Sequence, residues 1–304
     1  MSSETALVSC VIPTHNRADL LPRAIKSIQN QTYKNLEIII VSDGSTDNTA
    51  KVMKALCETD ARIKFIDYPS AQGGNFARNI GIEKARGELI AFLDDDDEWL
   101  PEKIEKQIQL INDEVGLVYT GVKIIYVNEK IEYTFISKKK GDLSKEILLD
   151  NCIGTTSAVM IKKELLEKAG MFDNKLKALQ DFDLWIRVCQ LCKVDVVEEE
   201  LIYYYNYTGK VQVSATTQKY VDSFDYINNK YKKLFNHLNL EKAKEKKRNE
   251  YMLLANKAMR NGDKKLTRKY IGMALKNGFS KNAIAYWGLS FTNFRIVLKI
   301  RKLL

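Results

Sequence analysis

The stretch ELIAFLDDDDEWLP, residues 88–101, runs from an apolar, strand-like segment directly into four adjacent carboxylates, Asp94 to Asp97. Neighbouring carboxylates repel one another and resist burial unless a cation compensates them. A helix N-terminus accommodates one or two of them, and Pro101 suits the first turn of a following helix, but four exceed what a helix dipole holds. Hard oxygen ligands on a loop with few other ligands suit Mn2+ or Mg2+ shared with a diphosphate.

Working outward from this stretch, residues 7–13, 36–42, 62–66 and 88–93 are short β-branched apolar runs that read as buried strands. Helical patterns lie between them, so strand and helix alternate through the first hundred residues, as βαβ units on a mostly parallel sheet flanked by helices require. Ligands of such sheets bind beyond the carboxyl ends of the strands. Three polar clusters fall there: Pro13 to Asn16, Asp43 to Asp47, and Asp94 to Asp97. Taken alone, Asp43-Gly-Ser is a turn with a helix cap, and Gly73-Gly74 is a flexible loop before the helix carrying Arg78. After Pro101 the pattern predicts a helix at 101–112, strands at 116–127, 154–161 and 194–205, and helices at 162–169 and 181–190. From about 216 onward it predicts helices only.

The 304 residues are 45% hydrophobic and 29% charged, a soluble composition without collagen-like or disordered bias. The first residues lack a basic leader and a long apolar run, which predicts neither a signal peptide nor a membrane-spanning helix and places the chain in the cytoplasm. Five scattered cysteines suggest no disulfide framework, and Cys189 and Cys192, although spaced CxxC, have no second pair to complete a zinc site. Between 216 and 304 there are 21 basic and 6 acidic residues, a balance of +15, against 27 and 33 before it, a balance of −6. The chain therefore divides into an acidic body, 1–215, and a basic helical region, 216–304. Tyr203 to Tyr205 read as packing at a strand end.

VIPTHNR, VSDGSTDNT, GGNFARNIGIEKARGELIAFLDDDDEW, GTTSAVMIKKELLEKAGMFD and QDFDLWIR, in this order, resemble family 2 glycosyltransferases of the GT-A fold over residues 7–206. The resemblance implies an inverting transferase that moves a sugar from a nucleotide diphosphate sugar, most often a UDP-sugar, to a glycan or lipid-linked acceptor in envelope polysaccharide synthesis. It implies that Pro13, Thr14 and His15 line the nucleoside pocket, that Asp43 meets the base, and that Arg78 approaches the nucleotide. Asp94 and Asp96 match the family's D-x-D, the first near the ribose and the second on the metal. The run of four leaves Asp95 and Asp97 as further candidates, with the metal set drawn as Asp96 and Asp97. Asp181 matches the catalytic base, followed by Trp185 and Arg187.

Two positions depart from the family pattern: Gln180 stands where an acidic residue is frequent, and the loop after the last strands offers Lys210 where a His or Arg often closes on the diphosphate. Two other functions compete, a sugar nucleotidyltransferase and a catalytically degenerate scaffold or glycan-binding module. The former lacks its glycine-rich basic loop near the first strand.

In the terminal NFRIVLKIRKLL, Ile296, Ile300, Leu303 and Leu304 share one helical face and Arg295, Lys299 and Lys302 another, which predicts peripheral contact with the inner face of an anionic membrane. The plain alternative is a closing helix with a solvated basic face. Tail helices also offer a homodimer surface. No recognition motif accompanies the basic run from Lys242 to Arg248, so nucleic acid is not an expected partner.

Overall fold

A computed structural model describes residues 6–207, 216–292 and 294–303. Lys210 and the loop around it lie outside the described residues. The first half alternates as expected: β1 (Val8–Thr14), α1 (Leu21–Gln29), β2 (Leu36–Asp43), α2 (Thr49–Thr59), β3 (Ile63–Tyr68), α3 (Gly74–Lys84) and β4 (Leu89–Phe92). All residues of β1, β2 and β4 are buried, which is why these strands read as unbroken apolar runs rather than alternating ones.

The second half is mixed. It comprises β5 (Glu98–Trp99), α4 (Lys103–Ile108), β6 (Val115–Tyr126), β7 (Ile131–Phe135), β8 (Met160–Lys162), α5 (Lys163–Ala169), α6 (Gln180–Val188) and β9 (Lys193–Asn206). The strands form one sheet in the order β3-β2-β1-β4-β8-β6-β9-β5, with β7 paired to β6. β3, β2, β1 and β4 pair in parallel, whereas β8 runs antiparallel to both β4 and β6. The strand expected at 154–161 shrinks to β8, because Thr155 accepts the Ser157 N–H and winds 156–158 into a 3-10 turn. The two-residue β5 and the hairpin strand β7 escaped the sequence reading.

Register places the site. With Val8 opposite both Leu36 and Leu89, the carboxyl ends of β1, β2 and β4 open on one edge of the sheet. Helix α3 lies so close to β1 that a Cβ on Gly81 would stand 2.2 Å from a Val11 methyl, and this approach seats Arg78 over the strand ends.

Beneath the sheet edge, Glu37 is buried and accepts from Ser9 Oγ (2.6 Å), Lys64 Nζ (2.7 Å) and the Arg86 backbone N–H (2.6 Å). Burial alone would raise its pKa, but these donors outweigh it and bring the value from 4.5 down to about 2. A depressed folded pKa adds stability that is complete above the unfolded value and is lost as pH falls toward 2. Glu37→Gln is expected to cost about 3 kcal/mol at neutral pH, with the gap to wild type closing in acid, as urea midpoints at pH 7 and pH 3 would show.

The remaining helices are α7 (Thr217–Lys230), α8 (Lys232–Phe235), α9 (Leu240–Arg260), α10 (Lys264–Lys276), α11 (Lys281–Leu289) and α12 (Phe294–Leu303). They fold back on the acidic body. Buried Asp183 of α6 is compensated by Arg187 at 2.6 Å, Lys230 at 2.8 Å and the Tyr231 hydroxyl at 2.9 Å, and Lys230 also reaches Asp173 at 2.7 Å. One apolar core extends from Val8 to Ala283 across both regions.

Helix α12 turns differently from the expectation. Val297 and Leu298 are buried, and Phe294 and Leu298 pack with Tyr126 and Ile131 of the β6–β7 hairpin, while Ile296 is 41% exposed. Phe294, Val297 and Leu298 form a second i, i+3, i+4 apolar stripe, and the aromatic hairpin selects it. No helix among the described residues is long and apolar enough to cross a membrane.

Candidate active site

A cavity of about 1020 Å³ opens at the carboxyl edge of β1, β2 and β4. Pro13, Thr14, His15, Asp43, Arg78, Asp94, Asp95, Asp96 and Asp181 all line it. Residues from five separate stretches of chain are thus brought into one crevice.

Its first wall is a laced pair of loops. The His15 Nδ1–H donates to the Asp43 carbonyl (2.6 Å), and Asn16 Nδ2 meets His15 Nε2 (3.1 Å), a pairing that requires the proton on Nδ1. Asn16, at φ 52°, accepts the Thr46 and Asp47 N–H groups at its Oδ1. The buried Asp43 carboxylate accepts from the Gln72 and Gly73 N–H groups at 2.8 and 2.6 Å, so it fastens the glycine loop as well as facing the cavity. Gly44 permits this. Its φ is +69°, and a Cβ there would lie 2.3 Å from the Ala71 nitrogen.

The floor is acidic. Arg78 Nη2 donates to Asp94 Oδ1 at 2.6 Å, while its Nε is buried with no hydrogen-bond acceptor. A guanidinium with a donor to spare at the edge of a cavity fits a phosphate oxygen. Asp95 accepts from Thr14 Oγ1 (2.7 Å); burial and the charge of Asp96 push its carboxyl up to about 7. Burial and Asp94 likewise raise Asp96, against the opposing pull of Arg17 and Arg23. Asp97, expected among the metal ligands, does not line the cavity. It is fully buried, accepts from Ser157 Oγ at 2.7 Å and the Tyr205 N–H at 3.3 Å, and ties the acidic turn to β9.

Whether a divalent cation suits this floor can be judged from the donors. The three carboxylates of the floor, Asp94 to Asp96, face the crevice, and two of them are held at raised pKa by burial and mutual repulsion, the condition that a cation relieves. Among the described residues no three carboxylate, imidazole or thiol groups converge into a complete cage. Burial raises the thiols of Cys189 and Cys192.

Across the floor, Asp181 occupies the first turn of α6. Leu179, immediately before that helix, is held at φ 58°, a strained left-handed conformation for a bulky residue. Asp181 accepts from Asn151 Nδ2 (3.1 Å) and the Phe182 N–H (2.8 Å). Burial raises its pKa, with Arg78 and Lys257 opposing and Asp94 reinforcing the rise. Trp185 is buried and donates to the Gly154 carbonyl (3.1 Å), and Arg187 braces Asp183, so both belong to the scaffold behind Asp181 rather than to the cavity.

The profile of the family described as Glycosyl transferase family 2 matches residues 9–170. The chain belongs to glycosyl transferase family 2. A glycosyltransferase of Haemophilus influenzae with no assigned reaction is 30% identical over 91% of this family 2 chain and 93% of its own length. The GalNAc(5)-diNAcBac-PP-undecaprenol β-1,3-glucosyltransferase of Campylobacter jejuni is 42% identical over 46% of this chain and 41% of its own. An Escherichia coli UDP-Glc:α-D-GlcNAc-diphosphoundecaprenol β-1,3-glucosyltransferase is 34% identical over 60% and 69%. Among solved structures, a Pyrobaculum calidifontis mannosyltransferase with GDP-Man and Mn2+ superposes with a TM-score of 0.61 at 16% identity, covering 98% of this chain and 87% of that one. S. aureus TarS 1–349 with UDP-GlcNAc gives 0.58 at 16% identity, covering 93% and 79%. The fold of this family 2 chain is therefore GT-A.

Several lining residues had no signal in the sequence. Asn151 sits in a polar loop, and Tyr220 and Lys257 come from α7 and α9, beyond the stretch matched by the family profile. For Lys257 the only cue is its i, i+4 relation to Leu253, which also faces the cavity.

Proposed function

We propose that this glycosyltransferase transfers a sugar from a UDP-sugar to a hydroxyl of a lipid-linked glycan, with inversion at the anomeric carbon. The observation that carries the reading is the placement of Asp181 in the same cavity as Arg78 and the Asp94–Asp96 floor. An acceptor hydroxyl is a weak nucleophile and needs a carboxylate to take its proton as it attacks. Asp181, held by Asn151 and raised above an ordinary carboxyl, serves as that base. Attack from the Asp181 side displaces the diphosphate toward Arg78, and a single displacement inverts the anomeric centre. Pro13, Thr14, His15 and Asp43 form the nucleoside end, with Asp94 at the ribose and Asp96 as the metal ligand. When bound, Mn2+ or Mg2+ supplies positive charge against the departing diphosphate.

The lipid-linked acceptor is taken from the Campylobacter and E. coli relatives, whose names specify diphospho-undecaprenol acceptors. A peripheral seat on the inner face of the cytoplasmic membrane agrees with a patch around α11. Phe279, Ile284, Trp287 and Phe291 are 73, 50, 41 and 60% exposed, with Lys276 ending α10, Lys281 opening α11 and Arg268 4.9 Å from the Phe291 ring centroid. Aromatic side chains among cations suit an anionic lipid surface.

The test presents a polyprenyl-diphosphate sugar in anionic vesicles with UDP-, GDP- and dTDP-sugars and follows product linkage by NMR. Transfer from the UDP-sugar with an inverted anomeric centre, by protein recovered with the vesicles, is expected. Nucleotide binding without transfer to any acceptor would instead favour the scaffold reading.

A further inference from the structure

Lys257 is a half-buried cation that the family reading leaves without a task. It projects from α9 into the cavity that holds Asp181, its ammonium 4.5 Å from the Tyr220 ring centroid. Among the described residues no carboxylate lies within ion-pair distance of it. Its surroundings discourage the charge: burial first, then Arg260 one turn on, lower its pKa to about 8, with Asp181 opposing. An amine set against an aromatic face, with another cation bearing on it electrostatically, is stabilised by an arriving anion. The approach to Asp181 is the acceptor's side of the cavity, whereas the nucleotide end is already served by Arg78 and the acidic floor.

We propose that Lys257 receives the phosphoryl group of a phosphorylated acceptor, so that the basic C-terminal helices select acceptors carrying a diphosphate next to the sugar that is extended. This rests on the transferase reading above and narrows its acceptor to an anionic class. The same chemistry has a second source, the donor's own diphosphate, and the experiment separates the two.

Wild type, Lys257→Gln and Lys257→Arg are titrated calorimetrically, first with UDP and Mn2+, then, with that site filled, with farnesyl diphosphate and with farnesol. Lys257→Gln is expected to bind farnesyl diphosphate about tenfold more weakly, the loss of one charge-assisted contact, with UDP and farnesol affinities unchanged and Lys257→Arg close to wild type. Equal farnesyl diphosphate binding in wild type and Lys257→Gln overturns the proposal, as does a weakening confined to UDP, which would assign Lys257 to the donor. Should UDP fail to bind wild type, the donor reading falls, yet the farnesyl diphosphate comparison still decides Lys257. Lys257→Arg retains the charge and the helix, so a folding defect in Lys257→Gln would not hide the answer.

Discussion

Asp181→Asn is expected to lower kcat about 10³-fold while leaving nucleotide affinity within a factor of two, because a positioned general base contributes on the order of 10² to 10⁴ in rate. The amide keeps the shape and can still meet Asn151 and the Phe182 N–H, so the loss isolates proton transfer from architecture. The pH dependence gives an independent check. The base must be ionised to work, and burial holds Asp181 above an ordinary carboxyl, so kcat/KM should rise with pH along an acid limb displaced upward from the usual carboxylate range. That limb should vanish in Asp181→Asn. A variant that keeps wild-type turnover, or keeps the limb, would remove Asp181 from the role of base.

Asp96→Ala should abolish the gain in nucleotide affinity that Mn2+ or Mg2+ confers, and should also make the metal-free protein more stable. The second effect follows from the crowding of the floor. Burial, and after it the charge of Asp96, push the Asp95 carboxyl from an unperturbed 3.8 up to about 7. A carboxyl whose folded pKa is raised makes folding take up protons between those two values, so the metal-free protein loses stability as pH rises through that window. Removing Asp96 relieves the repulsion. The melting temperature of the variant should exceed wild type at pH 8 by more than at pH 5, by about 1 kcal/mol in stability terms. Thermal melts with and without Mn2+ read both effects, since metal should rescue only wild type. Equal Mn2+-dependent nucleotide affinity in the two proteins would show that the ligand lies elsewhere in the floor.

The alternating half of the fold was legible because β1, β2 and β4 are buried on both faces, leaving short runs of valine and isoleucine bounded by polar turns. The cavity was legible for a related reason: Thr14 and Asp43 end β1 and β2, Asp94 lies two residues beyond β4, and parallel register carries them to one edge. Legibility fails where a choice belongs to a partner surface. Asp97 is chemically identical to its three neighbours, and only the turn that points it at Ser157 and the Tyr205 N–H separates it from the cavity. In α12 two apolar stripes compete, and the aromatic hairpin of β6 and β7, distant in sequence, takes the one containing Val297 and Leu298.

Local patterns by themselves thus determined the βαβ body and the acidic floor, since each depends on side-chain type within a few residues of a strand end, whereas Arg78 and Asp181 were tied to one site by the family resemblance and not by any local pattern. Only tertiary structure decided that α7 and α9 wall the cavity with Tyr220 and Lys257. The physical reason is that a lysine in an amphipathic helix looks like any solvated charge until long-range contacts, here Lys230 to Asp173 and Asp183, dock the helices against the body and take it out of water.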